Sequence, residues 1–70
     1  MNQCEMIINY IKTYGSITSM DAFVELGITR LPARISDLRA KGYPIEGEST
    51  KGRNRFGKPV HFMKYRLKGD

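Results

Sequence analysis

The hydrophobic period of the chain changes once, between Ala40 and Ile45, and this limits its architecture more than any other feature. Before the change, apolar side chains recur at helical spacing. Cys4, Ile7, Ile8 and Ile11 make one stripe, with Glu5, Asn9 and Lys12 off it. After the change, Ile45, Gly47 and Ser49 alternate with Glu46 and Glu48. His61, Met63, Tyr65 and Leu67 alternate with Phe62, Lys64 and Arg66. Alternation is the signature of a strand with one buried face, so helices are expected first and a pair of strands last.

Punctuation divides the helical part. Asn2 with Glu5 has the form of a capping box, and the first helix is expected from Asn2 to Tyr14, stopped by Gly15. Ser16-Ile17-Thr18 is long enough only for a bridging strand. A short second helix begins near Ser19, with Thr18 or Ser19 as its cap and Asp21 suited to the positive end of its dipole. Ala22, Phe23 and Leu26 are its expected buried face. Gly27 takes the left-handed position after it, and Ile28 closes the cap. Thr29 is the expected cap of a third helix running from Arg30 to Lys41, with Pro32 in its first turn and Gly42 at its end. Two helices joined by Gly-Ile-Thr have the physical essentials of a helix-turn-helix.

In the strand region, Thr50 to Pro59 is polar, basic and glycine-bearing, and reads as a long hairpin loop. A register with Ile45 opposite Tyr65, Ser49 opposite His61 and Glu46 opposite Lys64 would gather the apolar residues on one side. The expected fold class is therefore α+β: a winged helix-turn-helix, three helices followed by a two-stranded antiparallel β-hairpin wing, filling residues 1–70 as one domain.

Three stretches carry a family resemblance: Gly15-Ser16-Ile17-Thr18-Ser19; Leu26-Gly27-Ile28-Thr29-Arg30-Leu31; and Ala33-Arg34-Ile35-Ser36-Asp37-Leu38-Arg39 with Gly42-Tyr43-Pro44-Ile45. Asn54-Arg55-Phe56-Gly57-Lys58 and the strand ending Tyr65-Arg66-Leu67 continue it, so that it spans roughly residues 4–67. The chain resembles the small helix-turn-helix domains of phages and prophages. The resemblance implies a winged-helix fold and a DNA-binding regulator.

Charge supports such a partner independently. The chain carries a formal net charge of +5, unevenly spread. Residues 1–29 hold one base and three acids, whereas residues 30–70 hold eleven bases and four acids. A solvated surface ordinarily mixes its signs, so the asymmetry suits a regular array of phosphates. On a helical wheel, Leu31, Ile35 and Leu38 face the core of the third helix, with Ala33 and Ala40 opposite. Arg30, Arg34, Asp37 and Lys41 fall on one flank, and Pro32, Ser36 and Arg39 on the other. Small outward residues between long basic ones let a helix approach a major groove. Arg34 is the candidate for guanine, Ser36 a weaker contact, and Arg30 and Arg39 backbone contacts. Asp37 reads as structural, pairing with Lys41 and steadying Arg34.

The expected loop adds Lys51, Arg53, Arg55 and Lys58, with no acid among residues 50–59, and Asn54 as a possible groove or backbone contact. Phe56 is read either as a wedge on a base step or as an anchor folded back on the body. The expected DNA-binding set is thus Thr29, Arg30, Arg34, Ser36, Arg39, Lys41, Lys51, Arg53, Asn54, Arg55 and Lys58.

Other classes fare worse. One cysteine makes no internal disulfide, and one histidine beside it makes no four-ligand zinc site. His61 and Cys4 read as packed or hydrogen-bonded residues. No convergent polar cluster suggests an enzyme, and no cofactor or small-molecule substrate is expected. Apolar runs fall far short of the ~20 residues of a membrane span, and Met1 to Glu5 lacks a signal-peptide pattern. The cytoplasm (the host's, for a phage protein) is the expected compartment. Double-stranded DNA is the expected partner in control of transcription or recombination, with a protein partner or homodimer possible beside it. The alternative is a winged-helix interaction module that modulates a host protein, which an exposed apolar patch on the first helix around Tyr10 and Tyr14 would favour. RNA binding, with Phe56 and Tyr43 as stacking platforms, is a third reading.

Overall fold

The computed structural model describes residues 2–69. Helix α1 (Gln3–Tyr14) is followed by strand β1 (Ile17–Thr18), helix α2 (Ser19–Leu26), helix α3 (Leu31–Ala40), and strands β2 (Ile45–Arg53) and β3 (Pro59–Leu67). The strands form an antiparallel sheet in the order β1-β3-β2. The expected hairpin is present, and β1 adds a two-residue third strand to it.

Local chemistry sets the helix ends. The Asn2 side chain accepts from the Glu5 backbone N–H at 2.8 Å, and left-handed Gly15 closes α1. At α2 the Thr18 hydroxyl accepts from Asp21 N–H at 3.1 Å while the Asp21 carboxylate accepts from Thr18 N–H at 3.0 Å. This reciprocal box satisfies two backbone donors at once. Gly27, at φ +68°, ends α2, and Ile28 N–H donates back to the Ala22 carbonyl. The expected cap of α3 is displaced by one residue. Arg34 N–H bonds the Arg30 carbonyl, which makes Arg30 the cap, without a side-chain bond, and leaves Thr29 in the preceding turn. The helix accordingly spans Leu31–Ala40 rather than 30–41.

The core runs from α1 (Ile7, Ile8, Ile11) through Ile17, Ala22 and Ile28 to α3 (Leu31, Ile35, Leu38) and the root of the sheet (Ile45, Tyr65, Leu67). Each fully buried Ile or Leu contributes about 1.5–3 kcal/mol of transfer free energy, so this one cluster carries the helices and the sheet together. Phe23, expected inside, is 59% exposed. On so short a helix only Ala22 is buried, with Leu26 at the margin, and the next buried apolar residue is Ile28, beyond the helix end.

The hairpin keeps the expected faces but shifts its partners by two residues: Ile45 lies opposite Leu67, Glu46 opposite Arg66, and Ser49 opposite Met63. Because the shift is even, no side chain changes face. Arg66, not Lys64, meets the acids, with Nε 3.6 Å from Glu46 and Nη2 3.7 Å from Glu48. The ladder continues to Arg53 and Pro59, so half of the expected long loop is strand and only residues 54–58 lie outside it. Asn54 N–H bonds the Lys58 carbonyl, Gly57 N–H bonds the Asn54 carbonyl, and Gly57 adopts φ +78°. This is a three-residue hairpin loop with glycine at its left-handed position.

Candidate nucleic-acid interface

Helix α3 has a cleft along one flank and a tie to the sheet on the other. On one flank Arg34, Asp37, Ala40 and Lys41 line a cleft of about 530 Å³ with Asn2, Gln3 and Cys4 from the start of α1. On the other, Arg39 Nε donates to the Ile45 carbonyl at 3.2 Å, tying the helix to the first residue of β2. Pro32, Ser36 and Ala40 are exposed, while Ala33, expected to be outermost, is half-buried.

Arg34 is more constrained than the wheel implies. Its Nη1 lies 3.5 Å from Asp37 Oδ2, and its Nε is buried without a partner among the described residues. The expected pairing of Asp37 with Lys41 is absent among the described residues; the pairing with Arg34 is present. Arg30 and Thr29 are exposed where the chain enters α3, and Lys41 is exposed where it leaves. Arg39 is committed to the fold through Nε, which leaves its terminal nitrogens unpaired among the described residues.

The hairpin tip is built from the same residues that carry its charge. The Asn54 side-chain oxygen accepts from Phe56 N–H at 2.9 Å and Lys58 N–H at 3.1 Å, so Asn54 is a structural residue of the turn. Arg53 Nη1 donates to the Gly57 carbonyl at 2.8 Å, bracing the loop from the last residue of β2. Lys51 and Arg53 continue the face that holds Ile45 at the root, because side chains two apart share a face. Arg55 sits in the turn itself. Phe56 is 82% exposed, which excludes the folded-back anchor. His61, expected to be packed or hydrogen-bonded, is exposed opposite Lys51 and adds a polar donor to the basic face. Only the pairing register could have revealed that neighbourhood. Cys4 is half-buried against the core, as its stripe implied.

Two helices joined by a glycine turn, packed on a sheet whose hairpin extends beyond the core, define a winged helix-turn-helix. The family described as "Winged helix-turn-helix domain" matches residues 2–68, and the chain belongs to it. Membership points to DNA binding, the usual role of such modules, and away from catalysis. No curated protein and no solved structure gives a significant match. Among the described residues no helix is long and apolar enough to cross a membrane.

Proposed function

We propose that the domain binds double-stranded DNA in sequence-specific fashion, with α3 in the major groove and the hairpin tip on the adjacent backbone or minor groove. The observation that carries this reading is the basic tip. Lys51, Arg53, Arg55 and Lys58 are all exposed, with no acid among residues 50–59. In this scheme Arg30, Lys41 and Arg39 touch phosphates, Thr29 and Ser36 approach the groove, and Arg34 reads a guanine. Lys51, Arg53, Asn54, Arg55 and Lys58 follow the neighbouring strand. The biological role is control of transcription or recombination in a phage or mobile element.

Titration of labelled duplex, single strand and RNA at several salt concentrations tests the proposal. Neutralising about five phosphates gives a log–log salt slope near −4 to −5 on duplex. A flat dependence, or preference for single strands or RNA, overturns it. Arg34→Ala is expected to relax sequence preference. Arg53→Gln with Arg55→Gln is expected to weaken all duplexes alike and shallow the slope by about 2.

A second reading, as a protein-interaction module, has its own support. Tyr14, Met20, Phe23 and Val24 are all more than half exposed, and the Tyr14 ring packs tilted against Tyr10 with ring centroids 4.5 Å apart. Binding to a protein that survives high salt would favour it.

A further inference from the structure

His61 is the one histidine of the chain, and it stands outside the set that the sequence assigns to DNA. Imidazole ordinarily changes charge between about pH 5 and 8, so its position decides whether a binding surface responds to acid. The ladder fixes that position. Asn54 N–H bonds the Lys58 carbonyl and Lys68 N–H bonds the Pro44 carbonyl, so even-numbered residues of the two strands make the bonded pairs. Lys51 and His61 are therefore a non-bonded pair between them. In such pairs opposed side chains come closest, with Cβ atoms about 4.5–5.5 Å apart. Arg53, two residues along β2, shares the face.

The charged groups facing His61 are cations. From β2 these are Lys51 and Arg53, while Pro59 and Met63, which share its face on β3, carry no charge. Glu46 and Glu48 belong to the opposite face of the hairpin, where both lie within 4 Å of Arg66. Asp21 of α2 borders a groove on that opposite face, beside Val60 and Phe62, and its carboxylate accepts from Thr18 N–H. Strand β1 pairs only with Tyr65 and Lys64, and α1 joins the buried root through Ile7, Ile8 and Ile11. His61 itself is exposed and makes no hydrogen bond or ion pair among the described residues.

A protonated His61 beside Lys51 is a like-charge pair, which is unfavourable while nothing negative lies over it. A phosphate laid across the face reverses the sign. It accepts a charge-assisted hydrogen bond from the imidazolium and offsets the repulsion from both neighbours. We infer that His61 is a phosphate contact of the hairpin and takes up a proton from solvent as duplex DNA binds, so that the wing holds DNA more tightly in acid. The inference rests on the DNA reading above and adds a residue and a proton to it. A complex that binds more protons than its separate components gains affinity as pH falls and loses it as pH rises.

A labelled mixed-sequence duplex serves as the probe, because a phosphate contact carries no sequence information. It is titrated with the full chain at low salt between about pH 8 and about pH 5.5. If the complex holds the proton about ten-fold more tightly, binding at the acid end is about ten-fold tighter. The log–log salt slope is expected to steepen by about 0.9 over the same range. His61→Gln is expected to bind as the unsubstituted chain does at high pH and to lose both responses. His61→Arg keeps a fixed charge and is expected to bind tightly throughout. NMR of the imidazole ring in the unsubstituted chain needs no variant, and is expected to show protonation persisting to higher pH with duplex than without. Salt-dependent duplex binding that ignores pH overturns the inference and leaves the DNA reading standing. A pH response that His61→Gln retains does the same. Failure to bind duplex at any pH overturns both.

Discussion

The root and the tip of one hairpin show how a single pair of strands serves two purposes. At the root Ile45, Tyr65 and Leu67 are at most 8% exposed and belong to the core. At the tip the same face carries Lys51, Arg53 and His61, all exposed, and the geometry is kept by backbone pairing and by Asn54. Burial holds the first region; hydrogen bonds hold the second. Charge can therefore be concentrated at the tip without unsettling the core, since none of the basic residues there is needed to exclude water from it.

Substitutions that separate the two regions test this contrast. Leu67→Ala at the root is expected to lower stability by about 2–5 kcal/mol in urea denaturation, whereas Phe56→Ala at the tip should change it by less than about 0.5 kcal/mol. Equal losses would break the comparison. Asn54→Ala removes the acceptor of two turn N–H groups. It is expected to cost about 1 kcal/mol, with faster exchange confined to the Phe56 and Lys58 amides. Between root and tip, Glu46→Gln deletes one arm of the exposed Arg66 pair, and is expected to cost less than about 1 kcal/mol and to be silent at high salt.

The same contrast explains what could be read from the residues alone. Caps and stops were legible because Asn2, Thr18, Asp21, Gly15 and Gly27 act through their immediate neighbours. The faces of the strands were legible because alternation is local too. Strand partners were not, since period 2 assigns faces while the turn assigns register, and the Asn54–Lys58 turn is set by a left-handed Gly57 within a stretch that reads as plain loop. Phe23 misled because apolar spacing on a two-turn helix does not tell which apolar side chains the rest of the chain will cover. The bond of Arg39 to Ile45 was not legible either, since it depends on how β2 leaves α3, which helical spacing cannot encode.

Thr18 has two engagements: it pairs with Lys64 near the end of the chain and caps the helix that follows it. Ile17 beside it is fully buried against the same late strand. The first half of the molecule is thereby latched by the last strand, across a large sequence separation. Such non-local closure slows folding and makes it concerted, because the early helices gain their final support only once β3 arrives. A nascent chain on the ribosome would hold α1 and α2 loosely until Tyr65 emerged, and removal of the last strand would loosen the N-terminal half as well as the wing.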